Sequence, residues 1–572
     1  MAPCRSIAGK RPAREADGPE GRGSWRKRTP SVMRGIGSGS REPRGSDAWP
    51  ERAPTSGRSL IARAEGDISN LETQWDGQKP CAPKDYQAVI SPTLDLFDPV
   101  RLAAQFRKDV RKLQLRIAKA HRDGKPGRVK ALQRILTRSR AARVLAVWRV
   151  TTNKGKRTPG VDRVLWKTPE QRTEAVTVLK RMGYRSQPLR RIHIPKKNGK
   201  LRPLSIPTMH DRAMQALYLQ ALIPIAEETA DPNSYGFRPD RSAADAIEQC
   251  HTLLSRKTSP QWILEGDIRS CFDTISHAWL MDNIPMDKAV LGQWLKAGYV
   301  DKKVLFPTEQ GTPQGGIASP TLANMVLDGL EKLLKERFPR GSKVNFVRYA
   351  DDWIVTGPSK EMLEHHVLPV IVSFLRERGL EISPEKTRVV HIRDGFTFLG
   401  QRVRKYGEKC LTQPSPESVK SLLEKTRNVM KEARSKSQEW LIETLNPIIR
   451  GWANYHRNSA AKVIFSKVDS IIWTQLRSWL RRRHPHKGQD WIKEKYFQCR
   501  GSRNWIFTVP KGGPELIKAK DIKIVRHVKV KAQAHPFDPM WTDYLNTRKL
   551  FSKLKSGWDR FFGPQNAQES LE

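Results

Sequence analysis

The 572-residue chain is poor in cysteine, in acidic residues and in long apolar runs. Its six cysteines are scattered singly without a C-x-x-C pair, which excludes a legible disulfide framework and a cysteine-rich zinc site. No uninterrupted run of about 18 apolar residues occurs, so a membrane-spanning helix is excluded. The first residues, MAPCRSIAGKRPAREADG, lack the apolar segment of a secretory signal. We therefore expect a protein of a reducing compartment, the cytoplasm.

Acidic residues are also few relative to basic ones. The chain has 59 Asp and Glu against 104 Lys and Arg, which gives a formal net charge of +45. Each Lys or Arg that neutralises a phosphate releases condensed counterions, so a nucleic-acid backbone is the expected counter-surface. An anionic membrane is the weaker alternative. The 38% apolar share and 17 tryptophans argue against a wholly disordered chain, and the length predicts several domains.

The hydrophobic pattern divides the chain into segments. Residues 1–75, rich in Gly, Pro, Ser and Arg, have no sustained apolar period and predict a disordered basic arm. After Leu102 the apolar residues recur at steps of three and four, which predicts helices within a helical N-terminal extension, 76–164. The centre alternates short β-like runs with helices, and beyond about 412 the pattern is helical again. The predicted fold class is α+β.

Two carboxylates stand at the tip of a predicted hairpin. In VNFVRYADDWIVTG, β-like stretches flank Asp351 and Asp352, although Asp is poor strand material. A solvated turn is the alternative, because turns are enriched in Asp. Asp267, in ILEGDIRSCF, ends another apolar run, where a buried carboxylate is costly unless it binds a cation. If the strands are neighbours, these acids meet as a two-Mg²⁺ nucleotidyl-transfer site requires, with the ions roughly 4 Å apart.

The order of motifs along the chain resembles one family. Tyr349-Ala350-Asp351-Asp352 is similar to the Y-x-D-D box of reverse transcriptases, and its context resembles the reverse transcriptase/maturases encoded by bacterial group II introns. The similarity runs from about Leu113 to about Trp541. The other motifs, in family order, are ARVLAVWRVTTNKGKRTPGVD, IPKKNGKLRPLSIP, DPNSYGFRPDRSAADAI, GTPQGGIASPTLANMVLD and FTFLG.

The resemblance implies a right-hand polymerase followed by an α-helical thumb. The implied domains are fingers over 165–250, an antiparallel palm over 251–405, a thumb or maturase (X) domain over 412–490 and a basic DNA-binding tail over 491–572.

The resemblance also implies roles for single residues. Asp267, Asp351 and Asp352 are implied as catalytic, and two Mg²⁺ ions are implied at Asp267, Ile268 and Asp351. Phe272 resembles the residue that rejects a 2′-hydroxyl. The remaining implied sites are Lys196 and Arg202 on the incoming triphosphate, Gln314 and Lys386 near the nucleotide, and Phe398, Leu399 and Gly400 as the primer grip.

Aromatic and basic residues alternate within the predicted thumb. Trp452, Tyr455 and Trp473 have helical spacing and are predicted as core residues, with base stacking as the alternative. In DIKIVRHVKVKAQAHPFDPMWTDYL, Lys/Val alternation predicts a strand with one basic face. The arginines predicted to contact duplex phosphates are Arg450, Arg457, Arg481, Arg482 and Arg483.

The chain departs from the family in one respect. It has no C-x-x-C pair and no histidine cluster downstream of His535, so we expect no His-Asn-His endonuclease module, and a nascent DNA strand at a replication fork would serve as primer. The resemblance implies an RNA-directed DNA polymerase that copies intron RNA and assists splicing and mobility. Its implied partners are group II intron RNA, target DNA, a primer and dNTPs, with a homodimer left open. The alternatives are a splicing-only RNA-binding maturase and a host-adopted reverse transcriptase in repair or phage defence.

Overall fold

The computed structural model describes residues 101–195, 199, 201–501, 503–510 and 512–561. The predicted basic arm, 1–75, and the start of the predicted N-terminal extension lie outside the described residues. Among the residues described, no helix combines the length and the apolarity needed to cross a bilayer.

The described chain begins and continues mainly in helices. In order they are α1 (Arg101–Arg122), α2 (Pro126–Arg138), α3 (Arg140–Thr152), α4 (Pro169–Val178), α5 (Met209–Thr229), α6 (Ala243–Leu254), α7 (Cys271–Thr274), α8 (His277–Asn283), α9 (Lys288–Leu295), α10 (Ser319–Leu327), α11 (Leu330–Arg337), α12 (Leu368–Arg376), α13 (Pro416–Glu432), α14 (Gln438–His456), α15 (Lys462–Arg483), α16 (Gln489–Tyr496) and α17 (Thr542–Phe561).

The strands concentrate in the centre of the chain. They are β1 (Leu189–Pro195), β2 (Leu201–Ile206), β3 (Trp262–Asp267), β4 (Tyr299–Asp301), β5 (Val304–Phe306), β6 (Asn345–Tyr349), β7 (Asp352–Gly357), β8 (Arg388–His391), β9 (Phe396–Phe398), β10 (Gln401–Tyr406), β11 (Lys409–Pro414), β12 (Phe497–Arg500) and β13 (Arg503–Phe507). Short 3-10 helices lie at Lys154–Arg157, Ala519–Asp521 and Pro539–Trp541, and a π-helical turn lies at Met362–Val367.

The N-terminal helices pack around α5. The turn between α1 and α2 contains Gly124, and α2 begins at Pro126 because proline fits the first turn of a helix. Helix α5 is buried nearly all round, and its apolar residues share one core with α1–α4 and with one face of the central sheet. Its N-terminus is capped by Thr208, whose hydroxyl accepts from the Asp211 N–H.

The central sheet has the strand order β6-β7-β3-β8, with all neighbours antiparallel. Both faces are covered: Leu264 of β3 belongs to the core shared with α5, and Ile263 belongs to a second core with α6 and β9–β11. Successive strand residues point to opposite faces, which is why a continuous apolar run fits here. Buried on both sides, the sheet forms a rigid base for whatever stands at its strand ends.

Three smaller sheets flank this base. One has the order β2-β1-β4-β5, in which β1 and β2 form an antiparallel pair with Pro195 opposite Leu201. A second has the order β11-β10-β9, and the third is the β12-β13 hairpin. Helices α13–α16 and the last hairpin form a separate hydrophobic core, which matches the predicted helical region after 412.

The predicted strand in the C-terminal tail is wrong. Residues 523–530 have no strand assignment. Their backbone groups bond instead to other parts of the protein: the Val525 N–H donates to the Arg457 carbonyl at 2.9 Å, and the Val530 N–H donates to the Asp245 carboxylate at 2.8 Å. Val530 is buried in the core that includes α6, whereas Val528 is 66% exposed, so the valines of this segment do not form one buried face.

Candidate functional site

The turn of the β6–β7 hairpin carries one predicted carboxylate. Tyr349 and Asp352 are the last paired residues, so Ala350 and Asp351 form the turn. Ala350 has φ +58°, a left-handed conformation that is uncommon outside glycine. The guanidinium of Arg348, which is only 1% exposed, donates to the Ala350 carbonyl at 3.3 Å. The turn is thus fixed from beneath, with Asp351 at its apex.

Arg348 is itself held by buried polar groups. It donates to the Asn324 side-chain oxygen at 3.1 Å and forms an ion pair with Asp328. Burial raises the pKa of Asp328, while the charge of Arg348 acts in the opposite direction. On the other side, a Cβ on Gly236 would collide with the backbone nitrogen of Ala350. The hairpin turn is therefore tightly packed against Arg348 and Gly236.

The other two predicted carboxylates lie on neighbouring strands. Asp267 ends β3 directly opposite Asp352 of β7. The Asp352 residue is exposed as a whole, but the surrounding protein partly desolvates its carboxyl group. That desolvation, together with repulsion from Asp351 and Asp267, raises the pKa of Asp352 to about 6. The three acids therefore interact electrostatically, and their negative charge is only partly compensated.

Lys386 is the cation bonded to this group. Its Nζ lies 2.6 Å from Asp267 Oδ2, and that hydrogen bond raises the pKa of Lys386. The loop that carries it is fixed by the Ser383 N–H, which donates to the Asp267 carbonyl at 2.8 Å. Ile268, predicted near the metal, is buried and forms an isolated β-bridge with Ile382.

The three carboxylates offer only oxygen atoms as possible metal ligands. Over the described ranges, no three His, Cys, Asp or Glu side chains are arranged to hold a metal ion. The chemistry of the three carboxylates nevertheless fits a divalent cation, because Mg²⁺ prefers hard oxygen ligands and their mutual repulsion leaves charge to neutralise. Asp267 and Asp351 are the two carboxylates that could hold it, with Asp352 beside them.

The predicted nucleotide-binding residues next to β2 form a hydrogen-bonded chain. Arg202 Nε donates to Gln314 Oε1 at 2.9 Å, and Gln314 Nε2 donates to the two carboxylate oxygens of Asp273 at 3.2 and 3.1 Å. Asp273 follows Phe272, whose carbonyl accepts from the Thr312 N–H at 2.6 Å. Arg202, Phe272 and Gln314 are thereby brought to one place.

Asp273 is a site residue that sequence reasoning missed. The available signal was its position directly after Phe272 in SCFDTI, at the start of the short helix α7. Its carboxylate and the Arg202 guanidinium together fix which way the Gln314 amide faces. Lys196, the other predicted triphosphate contact, lies outside the described residues.

The predicted primer grip is the turn between β9 and β10. Phe398 pairs with Gln401, so Leu399 and Gly400 form a two-residue turn. Both have positive φ, +49° and +72°, as a type I′ hairpin turn requires. Phe398 is buried, and the Gly400 carbonyl accepts from the Ser415 N–H at 3.0 Å.

The predicted phosphate-contacting arginines divide into two groups. Arg483 is half-buried and donates to the Lys436 carbonyl at 2.7 Å, where it also covers the end of α13. Arg457 is half-buried under the tail, because its carbonyl accepts from the Val525 N–H. The three exposed members are Arg450, Arg481 and Arg482.

The three predicted core aromatics behave differently from one another. Trp452 and Trp473 pack against the core of α13–α16, as predicted. Tyr455 is 48% exposed, so the core prediction is wrong for this residue. It lies in the last turn of α14, and its hydroxyl donates a hydrogen bond to the Leu399 carbonyl in the β9–β10 turn.

Family comparisons match most of the described chain. The reverse transcriptase (RNA-dependent DNA polymerase) model matches residues 194–403, the model for the N-terminal domain of reverse transcriptase matches 103–179, and the group II intron maturase-specific domain matches 419–497. These matches and the central antiparallel sheet define a reverse transcriptase with a helical C-terminal region, as predicted. The individual finger, palm, thumb and tail boundaries stay predictions.

Individual relatives agree with the domain matches. Protein YkfC of Escherichia coli (strain K12) is 33% identical over 53% of this chain and 89% of its own length. The group II intron-encoded protein LtrA of Lactococcus lactis subsp. cremoris is 30% identical, over 44% of this chain and about half (53%) of its own length. The putative COX1/OXI3 intron 2 protein of Saccharomyces cerevisiae is 29% identical over 39% and 32%.

The chain belongs to the family of group II intron reverse transcriptase/maturases, which confirms the resemblance seen in its motifs. A solved telomerase structure from Candida albicans also resembles it over 54% of this chain and 61% of that chain. With a TM-score of 0.32 and 13% identity, that likeness is too low to add to the assignment.

Proposed function

We propose that this chain is an RNA-directed DNA polymerase that copies group II intron RNA into DNA and assists splicing and mobility of the intron. The observation that carries the proposal is the meeting of three acids on one rigid sheet. Asp267 faces Asp352 across the strand pair, and Asp351 stands on the adjoining turn. In a chain with a reverse transcriptase domain, such a group supports two-metal nucleotidyl transfer.

Each acid has a stated part in the reaction. Asp267 and Asp351 would hold Mg²⁺, with Asp352 beside them and Ile268 at the same strand end. The bound ion would supply Lewis-acid activation of the primer 3′-oxygen and charge stabilisation at the α-phosphate and the pyrophosphate. Lys386 orients the Asp267 carboxylate through its 2.6 Å hydrogen bond.

The hydrogen-bonded chain beside β2 orients the incoming dNTP. Arg202, together with Lys196, binds the triphosphate oxygens as a fork and a point charge. Gln314, its amide fixed by Asp273, lines the base and sugar end of the pocket. Phe272 precedes this aspartate in the same short helix, and in this proposal its ring excludes a ribose 2′-hydroxyl.

The nucleic-acid partners follow from charge and exposure. Intron RNA and target DNA are bound through their phosphates, with Arg450, Arg481 and Arg482 as the exposed contacts of the maturase-specific domain. Arg457 and Arg483 support the surface from within, because each is half-buried. The formal charge of +45 makes this binding strongly salt-dependent.

Primer extension tests the proposal. Wild-type protein is assayed on a poly(rA)/oligo(dT) template with Mg²⁺, with and without EDTA, and is compared with Asp351→Ala. We expect DNA synthesis by wild type, none with EDTA and none by Asp351→Ala, with RNA affinity retained in the variant. The matched control is Asp394→Ala, which removes an exposed aspartate between β8 and β9 and should extend normally. Normal synthesis by Asp351→Ala rejects the assignment of this site. No synthesis by wild type, with RNA bound, supports the splicing-only alternative.

A further inference from the structure

Tyr455 connects the maturase-specific domain to the reverse transcriptase domain. It lies in the last turn of α14, and its hydroxyl donates to the Leu399 carbonyl in the β9–β10 turn at 2.7 Å. The two residues belong to the matched ranges 419–497 and 194–403 respectively. The ring is 48% exposed, although a tyrosine at this helical spacing was predicted to be core. Tyr455 is thus bonded to the protein through its hydroxyl, while about half of the residue remains exposed.

The turn that receives this hydrogen bond has an unusual backbone. Leu399 has φ +49°, a conformation that a branched side chain rarely adopts, and Gly400 follows with φ +72°. Such a conformation persists only where its surroundings hold it. Two bonds from neighbouring elements do so: Tyr455 on the Leu399 carbonyl, and the Ser415 N–H on the Gly400 carbonyl. Both are needed to define the direction in which the turn points.

Tyr455 also interacts with a residue of the β6–β7 hairpin. Burial raises the pKa of Tyr455, and nearby Tyr349 adds to the shift, so the hydroxyl remains protonated and able to donate. Tyr349 is the β6 residue that pairs with Asp352. The ring of His456 packs edge-on against Tyr455 with centroids 5.0 Å apart, which limits the orientations of the tyrosine ring.

We propose that Tyr455 is a positioning residue for the primer strand. Its hydroxyl sets the Leu399–Gly400 turn, and the exposed face of its ring contacts the primer backbone as it enters the carboxylate site. This inference rests on the proposed polymerase function and on the assignment of the turn as a primer grip. Through Tyr455, the helical domain would act on the primer end directly, in addition to holding the duplex.

Tyr455→Phe tests the inference, because it removes the hydroxyl and keeps the ring. We expect the KM for primer–template to rise roughly fivefold, the size of one neutral hydrogen bond. The KM for dTTP, kcat at saturating primer and the unfolding midpoint should stay at wild-type values. Tyr455→Leu, which also removes the ring, should raise the primer KM further. The matched control is Tyr406→Phe, which alters another half-exposed tyrosine, on β10, and should change none of these quantities.

The outcomes separate this inference from the polymerase proposal. If wild type extends primers and Tyr455→Phe has an unchanged primer KM, the inference is overturned and the polymerase proposal stands. If Tyr455→Phe lowers the unfolding midpoint and raises both KM values together, Tyr455 is a general packing residue and the inference is again overturned. If wild type fails to extend any primer, both proposals fall together.

Discussion

Asp352 and Asp245 are both aspartates in the body of this protein, but their surroundings act on them in opposite directions. Desolvation and two neighbouring carboxylates raise the pKa of Asp352 to about 6. Burial also acts to raise the pKa of Asp245, but hydrogen bonds from His527 and Ser242 and the charge of Arg548 outweigh it and lower the pKa to about 2.

The partners of Asp245 show what a satisfied buried carboxylate looks like. The side chain is 0% exposed and accepts from His527 Nε2 at 2.9 Å, from the Val530 N–H at 2.8 Å and from an Arg548 nitrogen at 2.6 Å. These donors all come from the C-terminal tail, so Asp245 fastens the tail to α6. Its charge is fully used inside the protein.

The acids around Asp352 lack such compensation. Lys386 is the cation bonded to Asp267, and it is itself largely exposed. The two sites therefore differ in uncompensated negative charge. The charge of Asp245 is neutralised within the protein, whereas the acids at the ends of β3 and β7 retain negative charge that a ligand could neutralise. We therefore expect substitution of the first to affect stability and substitution of the second to affect chemistry.

The largest expected effect is on catalysis at the carboxylate group. Asp267→Asn should lower the primer-extension rate by roughly a thousandfold or more, since it removes a metal ligand worth several kcal/mol in the transition state. The free energy of unfolding should stay level or rise, because a repulsive charge is removed and the lost bond to exposed Lys386 is worth little. Single-turnover extension and urea unfolding measure the two quantities. A large loss of stability in Asp267→Asn would contradict the claim that Asp267 serves catalysis whereas Asp245 serves stability.

The next effect is on stability at the other aspartate. Asp245→Asn should lower the free energy of unfolding by about 3 kcal/mol, because it leaves Arg548 without its buried counter-charge and weakens the hydrogen bond from His527. The protein that remains folded should extend primers at nearly the wild-type rate. Urea unfolding of Asp245→Asn is compared with Asp394→Asn, an exposed aspartate that should show no change. Lost activity with normal stability would contradict the structural role.

A smaller effect is expected from a buried basic group, His456, on the pH dependence of stability. Burial lowers the pKa of His456 from 6.5 to about 4. Below pH 6.5 this histidine binds a proton in the unfolded chain but not in the folded chain. The free energy of unfolding is therefore highest above pH 6.5 and decreases as the pH falls toward 4. Between pH 6.5 and pH 5 we expect a loss of about 2 kcal/mol from this residue.

The measurement for His456 is a difference between two proteins. Urea unfolding of wild type and of His456→Gln at pH 7.5 and pH 5 removes the contribution of the other histidines. Wild type should lose more stability between the two pH values than the variant does. Equal losses would show that His456 becomes protonated in the folded protein without penalty.

Sequence reasoning succeeded where the signal is local. The hairpin around Asp351 and Asp352 was predictable because apolar stretches flank acids that a strand disfavours, and the same reasoning located Asp267 at a strand end. It failed where partners are distant in the chain: Asp245 meets Arg548 across 303 positions, and nothing near either residue announces the pair. The tail was predicted as a strand because Lys and Val alternate in it. The sequence does not show that its backbone N–H groups bond to distant residues, Arg457 and Asp245, and not to a neighbouring strand.

The most direct test of the central claim is Mg²⁺ binding by the protein alone, measured by isothermal titration calorimetry. If the acids at the ends of β3 and β7 form a cation site, wild type should give a saturable heat of Mg²⁺ binding that Asp351→Ala loses and Asp245→Asn keeps. Equal Mg²⁺ binding by wild type and Asp351→Ala would contradict the account.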